Sequence, residues 1–148
     1  MRILLDTNIL VHAHNKSSPR QKCARAVIES AMAGKINACL TDQVIYEFFA
    51  VITNPKRVES PMKVDQAVEV CMDFWECREI EKIHPTSNTL TDVMALAKEI
   101  KLYKGKIFDC VMAITARNNK VECIYTENVA DFEKYKFIKV VNPLSSER

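Results

Sequence analysis

The stretch MRILLDTNIL, residues 1–10, decides how the rest of the chain is read. Ile3, Leu4 and Leu5 form an unbroken apolar run, too short for a helix and right for a strand buried on both faces. Asp6 stops the run, Thr7 and Asn8 are turn and cap residues, and Ile9, Leu10 and Val11 resume an apolar pattern. A carboxylate therefore stands at the carboxyl end of what reads as a central parallel strand. Open α/β sheets bind ligands at that end. An acid there either has a partner or does chemistry.

Outward from this strand, residues 8–15 read as a short helix carrying His12 and His14. His12 lies four residues past Asn8 and so on its face. Partial packing at the surface and a metal or acid–base role are both open to it. Pro19 opens a second helix that Gly34 stops, and residues 36–40 read as a strand. Thr41 and Asp42 cap a third helix over 43–53, apolar almost all round, with Glu47 as its only charge. A lone carboxylate on such a helix needs a cation, a metal or a cleft. Asn54 and Pro55 end the helix. A fourth helix over 64–79 sets Val64, Ala67, Val68, Cys71, Phe74 and Trp75 on one face, as core or as a dimer seam. After a weak strand at 80–84 and a helix at 89–101, residues 107–116 are apolar on every side except Asp109, the pattern of a buried helix. Residues 121–125 read as a strand with Thr126 at its end. Asn128 caps a short helix holding Asp131 and Phe132, and a last strand covers 137–141.

This alternation predicts the α/β class: an α/β/α sandwich with a mostly parallel central sheet. One domain is expected over residues 1–143, followed by a polar tail over 144–148. The chain has 148 residues, enough for one sizeable core. Only two glycines occur, which argues against dinucleotide and P-loop sites. A net charge of +2 excludes a polycationic tail but not a local basic patch. No apolar run is long enough to span a membrane, and Asp6 breaks the apolar start, so no signal peptide is expected. The six cysteines form no Cys-x-x-Cys pair. They read as buried thiols of a protein in a reducing cytoplasm rather than as zinc ligands.

Asp6, Glu47, Asp109 and the 126–131 stretch can converge if the strand ends share one crevice. Crowded carboxylates repel and hold protons unless a cation intervenes. Hard oxygens without Cys or His suit Mg²⁺ or Mn²⁺. The natural chemistry is phosphodiester hydrolysis, with one ion or two.

The order of an apolar run closed by Asp-Thr-Asn over 3–8, an isolated Glu47, Gly105-x-x-x-Asp109 opening an apolar helix, and Thr126-x-Asn128-x-x-Asp131-Phe132 resembles the PIN-domain nucleases, and among them the VapC-like toxins of toxin–antitoxin pairs. The resemblance runs from residue 1 to Pro143. It implies Asp6 and Asp109 as principal metal ligands, Glu47 as a further ligand, direct or through water, and Asp131 as the fourth acid. Thr7, Asn8, Thr126 and Asn128 would hold those carboxylates and the scissile phosphate. It also implies a homodimeric, Mg²⁺- or Mn²⁺-dependent ribonuclease restrained by a cognate antitoxin. Glu127 is an additional acid, read as solvent-facing in preference to an extra charge at the rim. Lys16, Arg20, Lys56, Arg57, Lys104, Lys106 and Arg117 are candidates for a basic rim that holds RNA. A haloacid-dehalogenase-type phosphatase needs a second Asp where Asn8 stands, and the acidic pair of a receiver domain is not apparent. The alternatives that remain are a catalytically silent PIN-like module that binds RNA or protein, and an RNA-processing nuclease without an antitoxin.

Overall fold

The computed structural model describes residues 1–145. In chain order the elements are β1 (Arg2–Leu5), α1 (Thr7–His14), α2 (Gln21–Met32), β2 (Asn37–Leu40), α3 (Asp42–Ile52), α4 (Val64–Glu76), β3 (Glu81–Lys82), α5 (Thr89–Ile100), α6 (Lys106–Asn118), β4 (Cys123–Tyr125), α7 (Val129–Phe132) and β5 (Lys139–Val141). The five strands form one sheet in the order β3-β2-β1-β4-β5, every pairing parallel. This is the α/β/α sandwich that the alternation of strands and helices predicted.

The apolar run at the amino terminus takes the middle position because it can be covered on both faces. Leu4 and Leu5 are fully buried, and Ile3 lies between Ala38 of β2 and Cys123 of β4. Right-handed crossovers place the helices between β1, β2 and β3 on one face. The long return from β3 to β4 then carries α5 and α6 across the other. Consistent with this, α1 packs on α2 and α3, α3 on α4, and α5 on α6. Thr41 caps α3 by accepting a hydrogen bond from the Val44 amide at 3.1 Å. Gly34, past the end of α2, has φ +74°, and a Cβ there would lie 2.6 Å from Glu79 Oε2. The positive φ favours glycine here, whereas the Glu79 carboxylate is the end of a flexible side chain that can swing away. Phe48, Phe74 and His14 meet edge to face between α1, α3 and α4, with centroids 5.3–5.8 Å apart.

Several expectations need correction. The buried face of α4 is the narrow stripe Ala67, Cys71 and Phe74, so Val64 and Val68 stand 58% and 48% exposed beside Met72. Hydrophobicity alone does not choose between two adjacent stripes of a helix. Nor is α3 apolar all round in effect, since Tyr46 is 70% exposed. In α6, burial starts at Cys110; the first turn, with Phe108 and Asp109, reaches the surface. The packed chain also continues past Pro143. Leu144 is buried, and the Arg20 guanidinium donates to its carbonyl at 2.9 Å. Residues 146–148 of the expected tail lie outside the described residues. Cys39, Cys71, Cys110 and Cys123 are buried, Cys23 and Cys77 half-buried, and all are free thiols. Burial pushes the Cys39 thiol up to about 11. Among the described residues no helix is long and apolar enough to cross a membrane.

Candidate active site

The chain leaves β1 and β4 in opposite senses along the sheet, and a crevice opens at their carboxyl ends. The last rungs of the ladder stand there: the Asp6 amide donates to Tyr125 O and the Thr126 amide to Val141 O, both at 3.0 Å. The Asp6 side chain caps α1. Its Oδ1 accepts from the Thr7 amide at 2.7 Å, and its Oδ2 from Thr126 Oγ1 at 2.7 Å and Asn8 Nδ2 at 3.2 Å. The positive end of the α1 dipole favours an anion at this point. Asn8 also ties the two strand ends together, because its Oδ1 accepts from the Glu127 amide at 3.0 Å.

Glu47 projects from α3 toward the same place. Its partners are neutral donors rather than a cation: Thr7 Oγ1 at 2.8 Å and Gln43 Nε2 at 3.3 Å. Asp109, in the first turn of α6, is half-buried and receives no hydrogen bond among the described residues. Asp6, Thr7, Asn8, Glu47, Asp109 and Asn128 thus line one cleft of about 620 Å³, with Thr126 buried beneath it. Asn128 does not cap α7 with its side chain, contrary to expectation; instead its amide donates to Thr126 Oγ1 at 3.0 Å. Asp131 is exposed on the first turn of α7 and outside the cleft lining, yet its charge reaches Asp109.

The electrostatics follow from this crowding. Burial holds Asp109 up at about 6, and the neighbouring charges of Asp6, Asp131 and Glu47 add to it against the opposing pull of Lys134. Burial also raises Asp6, opposed by its hydrogen bonds from Thr126 and Thr7. Among the described residues no lysine or arginine forms an ion pair with Asp6, Glu47, Asp109 or Asp131. An oxygen-only donor set with no built-in counter-cation suits a hard divalent ion. No three acidic, histidine or cysteine side chains close around one point among the described residues. Waters would therefore complete the shell of an ion held by Asp6 and Asp109, as is usual for Mg²⁺.

A pH dependence follows, with a definite sign. Between about pH 4 and 6 the folded protein keeps a proton on Asp109 that the unfolded chain has released. That contribution to stability is complete below the unfolded pKa and is lost as pH rises through about 6. Calorimetry in EDTA should show the melting temperature falling across this window. Mg²⁺ should raise it at about pH 7.5 and have little effect near pH 4.5, where protons hold the site. An equal Mg²⁺ effect at both pH values would contradict the crowded-acid picture.

The sequence singles out His12 and Glu127 separately but does not report that they pair. Glu127 is not free in solvent: its Oε1 lies 2.9 Å from His12 Nε2, and His12 Nδ1 lies 2.6 Å from Ser18 Oγ. Both His12 and Glu127 line the cleft. The spacing of His12 from Asn8 was the one available signal. Arg117 leaves the candidate rim. It pairs with Asp92 at 2.9 Å and stacks on Phe137, at the end of α6 remote from Asp109. Of the expected basic residues, Arg57 lines the cleft.

A parallel sheet with a cleft lined by carboxylates, hydroxyls and amides at its switch point defines an α/β protein whose ligand site lies at the carboxyl ends of its strands. Within that class the chain belongs to the PIN domain family, which it matches over residues 3–138. It is 28% identical over 143 residues to Ribonuclease VapC24 of Mycobacterium tuberculosis, covering 97% of both chains. It is 23% identical over 140 residues to Ribonuclease VapC48 of the same organism, covering 95% of this chain and 96% of that one. Its fold resembles that of M. tuberculosis VapC20, a Sarcin-Ricin loop cleaving toxin, with TM-score 0.69 at 15% identity over 95% of this chain and 99% of that one. It also resembles VapBC2 from Rickettsia felis bound to a promoter DNA fragment, with TM-score 0.66 at 19% identity over 96% and 98%.

Proposed function

We propose that this protein is a divalent-metal-dependent endoribonuclease and the toxin of a toxin–antitoxin pair. The observation that carries the reading is Asp109. It is half-buried beside Asp6 and Glu47, without a donor or an ion pair among the described residues, in a cleft at the sheet's switch point. The curated relatives are named ribonucleases, and structural neighbours include toxin–antitoxin complexes.

Asp6 and Asp109 would hold Mg²⁺ or Mn²⁺, with Glu47 acting directly or through water and Asp131 as the fourth acid, adding its charge beside Asp109. When bound, the ion lowers the pKa of the attacking water and offsets charge on the phosphate. The chain supplies the rest. Thr7, Asn8 and Thr126 hydrogen-bond the carboxylates of Asp6 and Glu47 and would keep their oxygens oriented, Asn128 would contact the substrate from the cleft wall, and Glu47 would take a proton from the attacking water. Exposed apolar side chains, Tyr46, Leu90, Met94 and Phe108 on α3, α5 and α6, offer surface of the kind that a second copy or an antitoxin covers. A cytoplasmic location fits the free thiols and the RNA substrate.

Thr126→Val tests the support beneath Asp6. It keeps the shape and removes both the donor to Asp6 and the acceptor for the Asn128 amide. Activity should fall about 10- to 100-fold, with a higher Mg²⁺ requirement. Stability should fall by roughly 1–3 kcal/mol as polar groups lose partners. Unchanged Mg²⁺ dependence in steady-state RNA cleavage would count against this role.

A further inference from the structure

The cleft extends well beyond the acids. Its lining steps along α1 through Asn8, Val11 and Asn15, and along α3 through Glu47 and Val51, to end at Arg57. From Asn8 to Asn15 the helix rises about 10 Å. The cleft is thus a groove with an acidic pole at one end, an apolar floor of Val11 and Val51, and a cation at the other end.

Arg57 is fixed in backbone and free in side chain. The Asn54 carbonyl accepts from the Arg57 amide at 2.9 Å and the Val58 amide at 3.1 Å, and Asn54 Oδ1 accepts from the Lys56 amide at 2.9 Å. Val58 is buried and anchors the turn. Among the described residues the guanidinium has no ion pair, although carboxylates line the same cleft. An arginine held this way presents a planar fork that matches phosphate.

We propose that Arg57 grips a phosphate of the RNA other than the scissile one, and that the floor between α1 and α3 seats the intervening unpaired nucleotides. This rests on the nuclease reading above. At 3.4 Å per stacked nucleotide, 10 Å corresponds to about two or three nucleotides from the cut. Arg57 is then a specificity-determining residue: it sets how much single strand the enzyme requires on one side of the scissile bond.

The test uses a short unstructured RNA carrying a single neutral methylphosphonate linkage, moved one position at a time. With the wild-type protein, one linkage two or three nucleotides from the cut should raise KM about tenfold and leave kcat unchanged, the size expected of one charge-assisted contact. Arg57→Ala should raise KM equally and no longer respond to that linkage, and Arg57→Lys should fall between. A loss confined to kcat, or an equal response of Arg57→Ala and wild type to the neutral linkage, overturns the proposal. A second readout does not depend on cleavage. Binding of the same fluorescent RNA to the Asp109→Asn protein in Mg²⁺ should weaken about tenfold when Arg57→Ala is added. The slope of log K against log salt should drop by about 0.7. Unchanged RNA binding overturns the subsite, also if Arg57→Ala then weakens capture of an acidic protein segment instead. If the wild type cleaves no RNA but the Arg57-dependent binding persists, the nuclease reading falls and the subsite stands.

Discussion

Asp109→Asn is expected to cut metal-dependent RNA cleavage by more than about a hundredfold, and to raise the melting temperature of the metal-free protein at neutral pH. The substitution keeps the size and shape of the side chain and deletes its charge. Loss of a group that merely supports a ligand already costs about 10- to 100-fold, so loss of a ligand charge should exceed that. The stability effect has the opposite sign to that of most substitutions. At neutral pH the Asp109 carboxylate is ionised against its environment, with burial and the charges of Asp6, Asp131 and Glu47 all opposing it. An amide at this position removes that cost. In EDTA the variant should therefore melt above the wild type near pH 7.5 and converge with it near pH 4.5, where the wild-type carboxyl is protonated. In excess Mg²⁺ the order should reverse, because only the wild type gains binding energy from the ion. Paired scans in EDTA and Mg²⁺ check all three statements. A variant that melts below the wild type in EDTA at neutral pH would contradict the account of the site.

Phe48→Ala carries the largest expected loss of stability, about 3–5 kcal/mol. That is a large share of the roughly 5–15 kcal/mol that holds a domain together. Phe48 is fully buried and meets the rings of His14 and Phe74 edge to face. Removing it opens a cavity where α1, α3 and α4 join, and that junction orients α3. Glu47 precedes Phe48 in the chain and holds Thr7 Oγ1 at 2.8 Å from the neighbouring helix turn. The variant should thus lose activity at temperatures where it is still folded, through a displaced Glu47 rather than through unfolding. Denaturant melts give the stability change, and activity assayed well below the melting temperature gives the second effect. A stability loss below about 1 kcal/mol would mean that the junction does not hold the helices as described.

The acids were legible because each stood alone in an apolar setting. Asp6 ended a strand, and Glu47 and Asp109 were single charges on apolar helices. What could not be read was the strand order. Alternation announces a parallel sheet, but only the observed neighbours of β1, β2 on one side and β4 on the other, put the switch point beside Asp6. The link between His12 and Glu127 spans 115 residues of sequence, and no local pattern reports such a pair. The exposed Val64 and Val68 were misplaced for a related reason. Two adjacent stripes of α4 are comparably apolar, and packing against the neighbouring elements selects the one with small Ala67 and Cys71. Arg57 is one of seven candidate rim cations in the sequence, and only the ordered turn that carries it and its place in the cleft lining single it out.

The measurement that tests the central claim most directly is cleavage of structured and unstructured RNA by the purified protein, free of any antitoxin, in Mg²⁺ or Mn²⁺ and in EDTA, with Asp109→Asn run beside it. The account predicts cleavage that needs both the divalent ion and Asp109. Cleavage that persists in EDTA or in the Asp109→Asn protein would contradict it.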